Sequence, residues 1–418
     1  MNRLTEKKPS ENEKKDLCPV LLGADMNCYN VARAFHEKYG VISHAFGRYA
    51  IGATENTRIV DFHAVEDLTK PEKLTEVLSD FAEKQAGKSL ILIGCTDEYA
   101  EMISQLKDKL SDRYIIPYSD YELIRKVTNK ANFYQLCEKY GIDYPKTTVI
   151  TAENYKDFVS EYDYPIIIKP SVSADYWKHP FEGMKKVYRA KTPEEAQKIF
   201  ADIYGSGYPD ALIVQDMIPG NDSAMYVLTA YSGEDGKVRA MSLGHVLLEE
   251  HTPKGLGNHC AIISAYKPEI YERFVNLLEG EHFVGYSNFD IKFDSRDGSF
   301  RAFEINTRQG RSNYYVTAAG ANIAENIVSD RIDRTECQKI KITTDEIYWR
   351  YIPDSVVKKY VDKHTAEKID KLKKQGKAYS SMRYPFDTKG NAKRKIYIMM
   401  HEYRQIEKFK KYLPTDKQ

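Results

Sequence analysis

Apolar and polar residues alternate through residues 288–294 and again through 303–308. A two-residue period of this kind predicts strands with one face in a core. Between them, 295–299 (Ser-Arg-Asp-Gly-Ser) supplies the turn of a hairpin. Phe289, Ile291 and Phe293 then face one way with Phe303 and Ile305, while Asp290, Glu304 and Asn306 face the other. Upstream, strands are predicted over 19–23, 41–46 and 89–94, with helices over 27–39 and 74–85. Such alternation predicts a parallel α/β sheet. The loops 23–27 and 94–98 fall at the carboxyl ends of strands, where open α/β sheets take ligands. Their Asp and Thr residues suit helix capping equally well.

The middle of the chain reads as a helix over 121–140 ended by Gly141, then an extended segment over 145–150. A strongly apolar strand over 165–170 carries one cation, Lys169. A loop over 171–184 precedes a strand over 187–190 and a helix over 193–204. The segment 212–220 is a strand running into a turn, and 227–230 and 238–244 read as antiparallel strands. A glycine-rich stretch over 254–258 and a helix over 270–279 lead to the hairpin, and the chain beyond 339 reads as helical and lysine-rich. No internal repeat is present.

The polar face of the hairpin gathers two carboxylates and an amide oxygen, hard ligands suited to Mg²⁺. An ordinary solvated hairpin face has the same residue types. Arg308 lies on the same side and can bind a phosphate or a carboxylate. His245, His251 and His259 lack i, i+4 pairing and read as core or surface histidines rather than a metal site.

Lys+Arg 62 against Asp+Glu 61 leaves no excess charge to signal nucleic acid. The charge is uneven, because residues 331–418 hold 23 Lys/Arg against 12 Asp/Glu. That segment reads as a solvated lysine face, or as a weak attraction to anionic lipid at a membrane surface. The six cysteines are scattered, as expected of reduced thiols in a cytoplasmic protein. Residues 1–16 are polar and read as a disordered arm without the apolar core of a signal peptide. No apolar run approaches the roughly 20 residues of a membrane span.

In order, the chain presents Lys130, Lys169 on a strand, a loop, 215–220 with Asp222, then Asp290, Glu304, Asn306 and Arg308. This ordered set resembles the ATP-grasp superfamily of carboxylate–amine ligases over about 120–330. More narrowly, the chain is similar to the D-aspartate ligases of Gram-positive cell-wall synthesis. The match is carried by 22–27 (Leu-Gly-Ala-Asp-Met-Asn), 144–147 (Tyr-Pro-Lys-Thr), 181–183 (Phe-Glu-Gly), 214–216 with 218–220, 288–298 and 304–312.

The resemblance implies an α/β fold: an N-terminal parallel α/β (pre-ATP-grasp) domain over 17–120, two ATP-grasp subdomains over 121–211 and 212–335, and a basic, mainly helical C-terminal extension over 336–418. It implies ATP with Mg²⁺ or Mn²⁺. Lys130 and Lys169 would hold the phosphates. Gln215, Asp216, Met217 and Ile218 would line the adenine pocket, and Asp222 would meet the ribose. Asp290, Glu304 and Asn306 would bind the metal, and Arg308 and Arg311 would neutralise the acyl phosphate or hold a substrate carboxylate.

Each residue also has a plainer reading. Lys130 suits a solvated helix start, Lys169 a strand residue, and Asp222 a turn after Pro219-Gly220-Asn221. The segment 171–184 stands where the family has a glycine-rich phosphate lid, yet it contains one glycine. Tyr176, Trp177 and Phe181 there either close over a nucleotide or simply pack. The implied partners are D-aspartate and a peptidoglycan precursor bearing a lysine ε-amine. Other acid and amine pairs, a carboxylase using bicarbonate, and a silent nucleotide-binding scaffold are the alternatives. The scaffold would be expected to lose its metal ligands, and this chain keeps all three.

Overall fold

The computed structural model describes residues 14, 16–253 and 255–413. The arm expected over 1–16 lies outside the described residues except at 14 and 16. Two compact units emerge. The first takes the described residues of Met1–Tyr121 and Asn306–Gln418 together with Asp222–Asn288. The second takes Glu122–Asn221 and Phe289–Ile305.

The first unit begins with four parallel strands, β1 (Leu17–Leu22), β2 (Ser43–Gly47), β3 (Val60–Ala64) and β4 (Ser89–Gly94), in the order β3-β2-β1-β4. The expected parallel α/β domain is therefore present. β3 was not expected, because its residues Asp61-Phe62-His63 belong to an edge strand with a half-exposed pattern. The helix Met26–Tyr39 is capped by Asp25, which accepts from the Cys28 N–H at 3.2 Å. Thr96 caps Asp97–Gln105 by accepting from the Tyr99 N–H. Gly94 lets that helix close on its strand, since a Cβ there would meet the Ala100 nitrogen at 2.6 Å.

The second unit holds an antiparallel sheet of β5 (Thr147–Ile150), β6 (Ile166–Pro170), β7 (Tyr188–Ala190) and β8 (Leu212–Asp216), ordered β5-β8-β6-β7. Its core is Ile150, Ile166, Ile168, Phe200, Leu212 and Val214 with Tyr176. The single helix expected over 121–140 is two, Tyr121–Thr128 and Lys130–Lys139. Asn129 breaks it: its backbone is extended and its side chain accepts from the Ala131 and Asn132 N–H groups. The segment 171–184 is not wholly a loop, for Ser173–Tyr176 is a short helix. Tyr176 is buried there, bonded to Tyr188 at 2.6 Å and to the Lys185 carbonyl.

The large sheet contains β9 (Met225–Ser232), β10 (Val238–Glu249), β11 (His259–Ala265), β12 (Gly285–Asp294), β13 (Ser299–Asn306), β14 (Lys341–Ile342), β15 (Tyr348–Arg350) and β16 (Ala378–Ser380). Its order is β13-β12-β9-β10-β11-β15-β16, with β14 on β10. β12 and β13 are the hairpin expected from the alternation. Phe289, Ile291 and Ile305 are buried as expected, while Phe293 and Phe303 are half-buried.

Residues 336–418, expected as a mainly helical extension, supply three strands to this sheet and a fully buried Trp349. The helix Ala392–Tyr412 is tied to the connection between β2 and β3 through Arg394. Its guanidinium donates to the carbonyls of Gly52, Ala53 and Glu55, and its Nε stands 3.1 Å from Asp387. Asp387 also accepts from Tyr29, Thr57 and the Arg58 N–H. Both partners are fully buried.

Removing one member of such a pair leaves an uncompensated buried charge, at a cost of about 3–5 kcal/mol. Asp387→Ala is expected to lose that much in urea denaturation. A loss under about 1 kcal/mol, the range of a solvated pair, would show that water reaches Arg394. No helix among the described residues is long and apolar enough to cross a membrane.

Candidate active site

In the second unit the break at Asn129 puts Lys130 at the start of a helix, buried rather than solvated. Its ammonium lies 3.2 Å from Glu304 Oε2 and 3.3 Å from Ser173 Oγ. Lys169 projects from β6, donates to the Tyr134 hydroxyl at 2.9 Å, and sits 5.3 Å from the centre of the Phe303 ring. The Tyr134 hydroxyl donates to the Phe303 carbonyl at 2.7 Å, which leaves its oxygen as the acceptor for lysine. Burial, with the charge of Lys130 beside it, pushes Lys169 down to about 7. Glu304 and Asp290 pull the other way. Burial alone would raise the Glu304 carboxyl, but Lys130, Lys186 and Lys169 together hold it well below its ordinary range.

Three ammonium groups thus act around Glu304, with Asp290 as the second carboxylate. Lys186 carried no signal in the sequence, because a lysine after a loop is ordinary. This donor set fits a metal-bound polyphosphate: hard oxygens for the cation and excess positive charge for the phosphates.

Gln215 lies in the central strand β8 and donates to Thr147 Oγ1 at 2.7 Å. Asp216 is committed on two sides. Its carboxylate takes Arg296 at 2.7 and 3.2 Å, and its N–H donates to the Lys146 carbonyl. Met217 is half-buried and Ile218 buried. Lys292 donates to the carbonyls of Ile218 and Gly220, both at 3.0 Å, and so holds the segment after β8. Of the lid aromatics, Tyr176 and Phe181 pack in the core of this unit, while Trp177 is exposed.

In the first unit Asn306 donates to the Asn288 carbonyl at 3.4 Å, and Asn288 accepts from Thr229. Gly310 allows this close approach, since a Cβ there would stand 3.1 Å from the Asn288 amide. Asn27 donates to the carbonyls of Cys95 and Gln309, and Gln309 donates to that of Gly94. The loops 23–27 and 94–98 and the segment after β13 therefore converge. Arg308 forms a two-point pair with Asp97. Arg311 pairs with Glu250 at 3.1 Å and lies over the Tyr351 ring, and Lys408 reaches the same Glu250 at 3.4 Å. Asp25 caps its helix and also faces these arginines. Burial raises its carboxyl, against the opposing pull of the Cys28 N–H, Arg311 and Arg308.

Asp222 opens a short turn, Asp222–Ala224, and accepts from the Glu249 N–H and from His251 at 2.8 Å. That hydrogen bond raises His251 above the ordinary histidine range. His259 is buried and pushed down to about 4, and His245 meets the Ser223 carbonyl. The three form no metal cluster among the described residues.

No family model matches the chain. It is 36% identical over 412 residues to the D-aspartate ligase of Enterococcus faecium (strain Aus0004), covering 96% of this chain and 97% of that protein. Three solved structures share the fold at 14% identity. The L-amino acid ligase from Bacillus licheniformis matches at a TM-score of 0.55, over 81% of this chain and 80% of that one. The N5-carboxyaminoimidazole synthetase of Staphylococcus aureus, complexed with ADP, matches at 0.57 over 79% and 81%. The biotin carboxylase domain of Hydrogenobacter thermophilus 2-oxoglutarate carboxylase, complexed with MgADP and bicarbonate, matches at 0.56 over 77% and 71%. Near full-length identity to one enzyme and an α/β fold shared with ATP-grasp ligases converge, and the chain belongs to the D-aspartate ligase family of ATP-grasp carboxylate–amine ligases.

Proposed function

We propose that this ligase joins the β-carboxylate of D-aspartate to the lysine ε-amine of a UDP-linked peptidoglycan pentapeptide, at the expense of ATP. The choice of substrates rests on the similarity to a D-aspartate ligase, and the observation that supports the use of ATP is the pairing of buried Lys130 with Glu304 at 3.2 Å, with Lys169 on β6. Moving a phosphoryl group to a carboxylate brings anions together, so the protein's task is mostly positioning and charge neutralisation.

Lys130 and Lys169 hold the phosphates. Asp290, Glu304 and Asn306 would hold Mg²⁺ or Mn²⁺, which would supply further neutralisation of phosphate charge. The backbone of Asp216 and Ile218 reads the purine edge beside Gln215 and Met217. The Asp216 carbonyl and the Ile218 N–H are the groups for this, since Lys146 takes the Asp216 N–H and Lys292 takes the Ile218 carbonyl. Asp222 meets the ribose by sharing its carboxylate with His251. The substrate carboxylate attacks the γ-phosphorus, the bond to the ADP oxygen breaks, and an acyl phosphate forms. The amine then attacks the acyl carbon, phosphate leaves, and the amine gives up a proton.

An aspartate brings two carboxylates and an ammonium. Arg308 and Arg311, with Asp97, Glu250 and Asp25 beside them, present both signs in the first unit. The second carboxylate is matched by an arginine, and the ammonium by an acid. For aspartate to bind, its second carboxylate must share Arg308 with Asp97 or Arg311 with Glu250, and D-alanine has no carboxylate to make that contact. Losing a charge-assisted two-point contact of this kind costs about 3 kcal/mol, so kcat/KM for D-alanine is expected to fall by about a hundredfold.

Phosphate release with D-aspartate, L-aspartate and D-alanine, plus a lysine-containing precursor peptide and mass spectrometry of the product, measures this. Equal efficiency with D-alanine refutes the charge argument, and a preference for L-aspartate refutes the stereochemistry. Hydroxylamine without the peptide is expected to trap aspartyl hydroxamate alongside ADP. AMP and pyrophosphate in their place would refute the acyl phosphate.

A further inference from the structure

β2 and β3 run parallel with His44 opposite Asp61 and Phe46 opposite His63. Side chains alternate along a strand, so His44, Phe46, Asp61 and His63 share one face of the sheet. Three donor atoms converge there. His44 Nδ1 is 3.1 Å from His63 Nε2 and 3.4 Å from Asp61 Oδ2, and His63 Nε2 is 3.7 Å from the same oxygen.

These three separations are those of a coordination shell. A tetrahedral cation with nitrogen and oxygen ligands at about 2.0–2.1 Å holds its donor atoms about 3.3 Å apart. The atoms are also short of protons. A carboxylate oxygen donates nothing, and two neutral imidazole nitrogens facing each other share one hydrogen at most. A cation satisfies all three together.

The rings are held for this by their surroundings. His63 stacks on Phe46 with centroids 4.6 Å apart, and His44 and His63 both lie against Phe81 of the helix Pro71–Lys84. Asp61 is 58% exposed in its side chain, so the fourth position opens to water.

We propose that His44, Asp61 and His63 form a binding site for a Zn²⁺-class divalent transition cation, apart from the ligase machinery. Two imidazoles and one carboxylate suit Zn²⁺ or Co²⁺ and do not suit Mg²⁺ or Ca²⁺, which take oxygen shells. The cation would clamp the edge strand β3 to β2.

The test uses the full chain, stripped with chelator and kept in excess Mg²⁺. Zn²⁺ is titrated against a chromophoric indicator, and Co²⁺ is followed by its visible absorption. The wild type is expected to bind one equivalent of Zn²⁺, to gain an intense tetrahedral Co²⁺ band, and to melt higher with Zn²⁺. Glu304→Gln should keep all three. Asp61→Asn and His63→Gln, both at partly exposed positions, should weaken Zn²⁺ binding on the order of a hundredfold and lose the band and the thermal shift, with ligation rates unchanged. Zn²⁺ affinity unaltered in both variants, or no Zn²⁺ bound by the folded wild type, would overturn the proposal.

Discussion

Glu304→Gln is expected to fold normally and to lose at least about a hundredfold in turnover, the scale of removing one preorganised charge from a reacting centre. The substitution keeps the size of the side chain and removes its charge. Two losses follow. A proposed metal ligand becomes neutral beside the phosphates. The carboxylate that faces Lys130, Lys186 and Lys169 also disappears, so the three ammonium groups repel one another without compensation. Lys169 would then titrate lower still, because Glu304 is one of the two groups that hold its proton on. Steady-state kinetics over a range of Mg²⁺ should show both a reduced maximum and a higher Mg²⁺ requirement. Near-normal turnover at limiting Mg²⁺ would remove Glu304 from the metal site.

Lys169→Met is expected to weaken ATP binding and slow phosphoryl transfer together, while keeping the packing against Tyr134 and Phe303. The wild-type lysine also predicts a pH dependence. Its pKa is lowered to about 7, and the protonated form is the one that neutralises phosphate. ATP therefore binds best below pH 7, and its affinity falls as the pH rises through that value. Above that value the free protein holds Lys169 mostly unprotonated, so binding that favours the ammonium draws in protons. Calorimetry in buffers of different ionisation enthalpy counts them. Lys169→Arg stays charged and should flatten the profile. Unchanged affinity and unchanged rate in Lys169→Met would leave Lys169 as a strand residue only.

Much of the local structure was legible because each element sets its own burial. The period of two in 288–294 and 303–306 gave the hairpin, and the aliphatic run before Lys169 gave β6. The strand 89–94 was read to the residue for the same reason. The break at Asn129 was harder. Asparagine is tolerated within a helix, and the structure shows that it caps a new one there while the distant Ser171 carbonyl takes the Lys130 N–H. Within 336–418, read as mainly helical, β15 and β16 have three residues each, too short to carry a period, and so these strands gave no signal.

Which residues could do the chemistry was legible along the chain, since hard oxygens, lysines and arginines at a given spacing are a local matter. Which charges face one another was set by the folding of distant segments together. Arg308 meets Asp97 from 211 positions away, Lys408 meets Glu250 from 158, and Lys130 meets Glu304 across the second unit. His44 and His63 meet because two parallel strands hold one register, and a one-residue slip would turn one pair to the opposite face. Such pairings depend on topology and register, which long-range packing of the whole chain sets and no window of sequence contains.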